Sequence, residues 1–202
     1  VMNAYRKLAA SSIAAIRASL QKRLERLQGE YELQHSMADD AQNGEERFLG
    51  EAEEKESRNT PREEFFAGEI QMVKDLLMKA DAVLRADTKV LSFTDDLLKQ
   101  IHSKTPNEKV LVFTEYRSTQ NYLTNALAAI YGRDAVSLIN GGQTYQEREQ
   151  AIADFEEKGK FLISTEAGSE GLNLQRQCHI MVNYDLPWNP MRLVQRVGRV
   201  YR

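Results

Sequence analysis

Three arginines at spacing three close the chain: Arg196, Arg199 and Arg202. On a helix that spacing puts neighbouring members on roughly one face. A guanidinium is always charged and forks onto phosphate or carboxylate oxygens. Upstream, the apolar run Phe161-Leu162-Ile163-Ser164-Thr165 stops at Glu166-Ala167-Gly168-Ser169-Glu170-Gly171-Leu172-Asn173-Leu174. A strand that stops at such a turn carries hydroxyls, acids and backbone amides at its carboxyl end, where open α/β sheets bind ligands. Together the two features suggest a site for a phosphorylated ligand. On spacing alone, the arginines serve equally well as surface groups paired with nearby acids, and the glycines as an ordinary loop.

At these residues the chain resembles a known family. Ser164-Thr165-Glu166-Ala167-Gly168-x-x-Gly171-Leu172-Asn173-Leu174 is similar to motif V of SWI/SNF-type superfamily 2 helicases and ATPases. Gln195-Arg196-x-Gly198-Arg199-x-x-Arg202 is similar to their motif VI. The run Leu111-Val112-Phe113-Thr114-Glu115-Tyr116 most resembles bacterial members, including those that act on RNA polymerase. The resemblance covers the C-terminal part, from roughly residue 87, and implies the second RecA-like domain, a parallel α/β sheet flanked by helices. It makes Arg199 and Arg202 arginine fingers that reach the γ-phosphate of an ATP held by a first RecA-like domain. Such a guanidinium stabilises charge on the γ-phosphoryl oxygens as the bond to the leaving group breaks. Gln195, Glu166, Gly171 and Asn173 are implied on the ATP side. The implied cofactors are ATP and Mg2+, held mainly by that first domain, and no other metal site is expected.

The nucleic-acid side rests on shorter signals. Thr114 ends the first strand and resembles motif IV, Asn140-Gly141-Gly142 follows the second strand, and Thr165 ends the third. Hydroxyls and glycine amides at strand ends can bind backbone phosphates without reading bases; each could equally be local turn chemistry. Trp188, in Leu186-Pro187-Trp188-Asn189-Pro190, is read as packing its loop rather than stacking on a base. The implied partners are the first RecA-like domain, nucleic acid in the form of duplex DNA, and a protein substrate such as RNA polymerase.

The elements that must position these groups are legible as periodicity. Tyr5, Leu8, Ile13, Ile16, Leu20, Leu24, Leu27 and Tyr31 predict one amphipathic helix over 3–32, with a basic opposite face. Residues 36–60 lose the periodicity and form an acidic connector. Thr60-Pro61-Arg62-Glu63 is a capping box that opens a second helix over 61–85. Phe66, Ile70, Val73, Leu77, Ala80 and Leu84 form its packing stripe, and Phe65, Met72, Leu76 and Val83 widen the arc towards a globular contact. This predicts a helical extension over 1–86 and a RecA-like domain over 87–202. In the latter, Asp87 opens a helix to about Ser103, and strands at 109–114, 135–139, 161–165 and 180–185 alternate with helices. Such alternation implies right-handed crossovers and a parallel sheet.

Composition sets bounds. The 202 residues, 42% hydrophobic, can build a core. No apolar run is long enough for a membrane span, and the start has no signal pattern. A single cysteine, Cys178, fits a reducing, cytoplasmic setting. Residues 39–64 hold ten acids against four bases, a net −6 that leaves +3 on the rest of a chain whose total is −3. That permits a basic groove without requiring one. No G-x-x-x-x-G-K-[ST] loop and no Walker B acid pair occur in the sequence. The chain is therefore expected to be a piece of a larger motor, unable to hydrolyse ATP alone. The rival readings are a strand-separating helicase of the same superfamily, a binding module with no motor, and a dimerisation role for the helical part.

Overall fold

The computed structural model describes residues 2–28, 64–166, 174, 178–187 and 189–200. They divide between two compact units, Val1–Asp87 and Thr88–Arg202.

The first unit does not hold one helix over 3–32. Helix α1 (Met2–Ser11) ends where Ser12 turns extended, at φ −157° and ψ 155°, and α2 (Ile13–Leu27) starts behind it. The Ser12 hydroxyl accepts the Ala15 N–H at 3.0 Å. A serine offers the backbone this alternative to the helical bond, so the Ser11-Ser12 pair is a natural break. Helix α3 (Glu69–Leu84) packs on α2 through Leu20, Val73 and Leu77, with Ile16 and Leu24 against them. Arg17 pairs with Asp81 and Arg23 with Glu69, so the two helices run antiparallel. Two expectations for α3 need correction. Residues 64–68 are not helical, and the helix begins at Glu69 behind Gly68, whose φ is 87°. The wider apolar arc is not buried: Phe65, Met72, Leu76 and Val83 stay 41–52% exposed. The capping box at Thr60-Pro61-Arg62-Glu63 and the connector 36–60 lie outside the described residues.

What fixes the start of α3 is a buried ion pair. Arg23, 1% exposed, donates from Nε and Nη2 to the two carboxylate oxygens of Glu69, both at 2.8 Å. Glu69 also accepts the Phe65 N–H at 2.7 Å, and the Arg23 guanidinium lies 4.5 Å from the centre of the Phe65 ring. The Arg23 fork holds the Glu69 carboxyl below the usual carboxylate range.

The second unit is a parallel four-stranded sheet in the order β2-β3-β1-β4. Its strands are β1 (Val110–Thr114), β2 (Val136–Ile139), β3 (Phe161–Thr165) and β4 (Ile180–Asn183). Successive side chains alternate faces. Val110, Val112, Phe161 and Ile163 therefore meet Leu123 and Leu127 of α5 (Arg117–Tyr131) on one side. Phe93 and Leu98 of α4 (88–104) join them. Leu111, Phe113, Leu162 and Ile139 meet Phe155 of α6 (Tyr145–Glu157) on the other. Helices on both faces explain why every residue of β1 and β3 is buried. Within α4 the turns widen over Ser92–Leu98, and the Thr94 hydroxyl donates to the Val90 carbonyl at 3.0 Å. The Thr144–Glu147 capping box opens α6, and α7 (Pro190–Val197) closes the described chain. Among the described residues no helix is long and apolar enough to cross a membrane.

Two outcomes follow from these contacts. Glu69→Ala strands the Arg23 charge in the interior and is expected to cost about 3–5 kcal/mol, read as a lower thermal midpoint of the helical signal. In the unmutated chain this contribution is complete above the ordinary glutamate value and is lost as pH falls through the lowered one. An unchanged midpoint in the variant would show that the pair is not holding the unit. Cys178, fully buried with Sγ donating to the Lys109 and Ile180 carbonyls at 3.3 Å, has its thiol pushed up to about 11 by burial. Iodoacetamide at pH 8 should leave it unmodified until denaturant is added; rapid labelling of the folded chain would contradict that environment.

Candidate functional site

Parallel strands bring their carboxyl ends to one side. The register sets Thr114 beside Thr165, Phe113 beside Asn183, and Ile139 beside Ser164. The polar residues that follow each strand therefore gather there, and most of them bind one another.

The centre of this gathering is Arg196 of α7, 1% exposed. Its Nε and Nη2 donate to Glu166 Oε2 at 3.0 and 2.5 Å. Its Nη1 donates to Asn183 Oδ1 at 2.9 Å and to the Asp185 carbonyl at 3.0 Å. The guanidinium lies 5.0 Å from the centre of the Phe113 ring. One side chain thus ties α7 to the ends of β3 and β4 and covers β1. This corrects the expected row of arginines. Helix α7 stops at Val197, so helical spacing does not extend to Arg199. Arg196 turns inward, Gln195 is exposed, and Arg199 is half-buried in the turn that follows. There the Arg199 N–H donates to the Arg196 carbonyl at 3.0 Å, and its own carbonyl accepts the Leu174 N–H at 3.2 Å. Glu166, expected on the ATP side, has its carboxylate committed to Arg196.

Asp185 makes a second knot. Its Oδ2 accepts the Thr114 hydroxyl at 2.5 Å and the Glu115 N–H at 3.2 Å, and its Oδ1 accepts Lys89 Nζ at 3.3 Å. The Thr114 side chain, expected to face phosphate, is fully buried and points inward; Thr165 is fully buried too. The Asn140-Gly141-Gly142 turn is likewise held from within. Gly142 N–H donates to Asn140 Oδ1 at 3.0 Å, and Asn140 Nδ2 donates to Gln120 Oε1 at 3.1 Å. Asn140 N–H donates to Gln143 Oε1 at 2.9 Å. Gln120 in turn donates to the Ile139 and Ile163 carbonyls at 2.9 and 2.8 Å, capping β2 and β3. Sequence reading missed Gln120. Its signal was there: Tyr116, Gln120, Leu123 and Leu127 repeat at 4, 3, 4, so a polar side chain sits on a buried stripe and must find partners. Gly171, Asn173 and Arg202, with Gly168 and Trp188, lie outside the described residues.

Glu115 stands among these groups, 7% exposed. Burial pushes its carboxyl up from the ordinary glutamate value; the Arg196 charge opposes this, while Asp185 and Glu166 reinforce it. A carboxyl raised in the fold binds its proton more tightly there than in the unfolded chain. It therefore favours folding most below the ordinary value, and that benefit is lost as pH rises through the raised one. Glu115→Gln is expected to raise the thermal midpoint at pH 8 and to give little gain at pH 4. A lower midpoint at pH 8 would mean that the charged form is held by its neighbours.

The profile of the helicase conserved C-terminal domain matches residues 91–202. The uncharacterized ATP-dependent helicase YqhH of Bacillus subtilis is 46% identical over 109 residues, covering 53% of this chain and 18% of that protein. The mouse DNA repair and recombination protein RAD54B is 34% identical over 110 residues, covering 52% of this chain and 12% of that protein. The RNA polymerase-associated protein RapA of Pectobacterium carotovorum is 39% identical over 101 residues, covering 48% of this chain and 10% of that protein. The chain thus spans less than a fifth of each relative's length. Among solved structures, the Pyrococcus furiosus Hef helicase domain matches with a TM-score of 0.51 at 20% identity, covering 98% of this chain and 35% of that chain, a likeness of fold. The parallel sheet of this chain is the RecA-like sheet expected from the motifs, and the chain belongs to the helicase conserved C-terminal domain family.

Proposed function

We propose that this chain is the C-terminal half of an ATP-dependent motor that translocates on duplex DNA. Residues 87–202 act as its second RecA-like domain and 1–86 as a helical extension. The observation that supports this most is the Arg196 knot. It fixes α7 and the turn after it at the carboxyl end of the sheet, leaving Gln195 exposed and Arg199 half-buried on that side. In this reading Arg199 and Arg202 reach across a cleft to the γ-phosphate, and Gln195, Gly171 and Asn173 line the nucleotide. Glu166 serves through Arg196 rather than by touching ATP. The sequence has no phosphate loop and no Walker B acid pair. ATP and Mg2+ then belong mainly to a first RecA-like domain, and this chain alone hydrolyses nothing. When bound, ATP supplies the phosphoryl bond whose cleavage opens and shuts the cleft. This chain's part is to place fixed positive charge where the γ-phosphoryl group gains negative charge.

Nucleic acid runs along the carboxyl ends of the strands, with the Asn140-Gly141-Gly142 turn at the surface and Thr114 and Thr165 bracing the strand ends beneath it. Duplex DNA is favoured by the Ala167-Gly168-x-x-Gly171-Leu172-Asn173 pattern and by the resemblance to a DNA repair and recombination protein. The likeness to an RNA polymerase-associated protein makes RNA polymerase the first protein substrate to test. A strand-displacement assay on the full-length protein separates translocation from strand separation.

In the full-length protein, Arg199→Ala is expected to lower DNA-stimulated ATP hydrolysis by about 10³-fold or more while the KM for ATP moves only a few-fold. An unaltered rate would leave the binding-module reading in possession of the site.

A further inference from the structure

Arg196 fixes α7 to two of the strand ends by directed bonds. These go to Glu166 after β3 and to Asn183 and Asp185 at the end of β4, while β1 receives the ring contact with Phe113. Glu115, the residue that follows β1, is 7% exposed, and among the described residues no donor reaches its carboxylate. A second arginine of α7 stands in the complementary state. Arg192 is half-buried, and among the described residues its guanidinium makes no hydrogen bond or ion pair. It precedes Arg196 by four residues within the helix, so the two share the face turned to the strand ends. We propose that Glu115 and Arg192 form a proton-gated tie between β1 and α7, and that both are positioning residues for the turn carrying Arg199. The positioning role rests on the reading of Arg199 above; the tie itself does not.

Charge decides the state of the tie. Four groups face Glu115: Arg196 and Arg192 on α7, Asp185 after β4, and Glu166 after β3. Lys89 of α4 is bound to Asp185, and four hydrogen bonds from Arg196 are bound to Glu166, Asn183 and Asp185. With its proton on, Glu115 is neutral and needs no cation. Once ionised, it is a third carboxylate beside a committed guanidinium, and an unpaired buried charge is costly. Arg192 is the cation there with unspent donors, on a side chain long enough to turn to it. Burial raises the Glu115 carboxyl, and the charge of Arg192 already works against that rise. With the pair made, α7 is held to the adjacent ends of β3, β1 and β4. The turn that follows α7 then loses its freedom to rock about Arg196.

Thermal melts of the 202-residue chain at pH 4 and pH 8 test the tie. Its one tryptophan, Trp188, falls within Thr88–Arg202, so tryptophan fluorescence follows the second unit. Arg192→Gln should lower the midpoint by about 3 °C at pH 8 and leave it unchanged at pH 4. Arg192→Lys keeps the charge and should keep most of the midpoint. In the Glu115→Gln background, Arg192→Gln should cost nothing at either pH. No loss at pH 8, a loss equal at both pH values, or a loss that persists beside Glu115→Gln overturns the tie. The positioning role is read in the full-length protein at pH 8, as DNA-stimulated ATP hydrolysis. Arg192→Gln should lower kcat about threefold with the KM for ATP unchanged. Glu115→Gln should do the same even though it raises the midpoint, a split that a merely structural role does not give, and the double variant should lose no more. Full kcat in Arg192→Gln beside coupled midpoints overturns the positioning role and leaves the tie. An Arg199→Ala protein as fast as wild type overturns the Arg199 reading, and the positioning role with it.

Discussion

The domain's ligand-bearing side depends on one buried guanidinium. Removing a charge from water is expensive, and a buried pair is retained only when its geometry is good and its other donors are satisfied. Arg196 meets both conditions. Its fork reaches one Glu166 oxygen, and its remaining nitrogen finds Asn183 and a carbonyl. Asp185 serves twice, giving its carbonyl to Arg196 and its carboxylate to Thr114, Glu115 and Lys89. The ends of β1, β3 and β4 are therefore bound through two groups that share a residue. Disturbing either moves the other, and the turn carrying Arg199 follows.

Anchoring α7 by charge has a consequence for its surface. An ordinary surface helix buries its apolar stripe and exposes its charges. This one does the reverse: Arg196, in its last turn, is buried while Met191 and Val194 are 62% and 64% exposed. The helix is oriented by directed donors rather than by apolar area, which lets it present a fixed face whatever that face is made of. That suits an element whose task is to hold a neighbouring turn in place.

Much of the fold was legible because the signals were local and strong. Continuous apolar runs marked the strands 110–114 and 161–165, and Thr144-x-x-Glu147 marked α6. What was not legible was decided by tertiary partners. The break at Ser12 depends on a hydroxyl competing with the helix, and the start of α3 on Glu69 being drawn to Arg23 rather than on the better capping signal upstream. The same holds at the site. Arg196 and Arg199 look alike in sequence, and what makes Arg196 the anchor is the set of acceptors that folding gathers around it: the Glu166 carboxylate, the Asn183 amide oxygen and the Asp185 carbonyl. The Thr114 hydroxyl looked like a ligand contact because a linear reading cannot show that folding sets it against Asp185 first.

Each of the two units uses a buried arginine–glutamate pair. Arg23 with Glu69 and Arg196 with Glu166 are both 1% exposed at the arginine, and each guanidinium lies near an aromatic ring, at 4.5 and 5.0 Å. Each sits where a helix meets a segment that is not helical. Apolar contact is non-directional; a leucine there could slide by a turn and find another pocket at modest cost. A fork on a carboxylate cannot, because any shift leaves a buried charge unpaired, at about 3–5 kcal/mol. The pairs therefore fix the register of a junction that hydrophobic packing alone would leave free, and in the second unit that register decides which side of the turn Arg199 occupies.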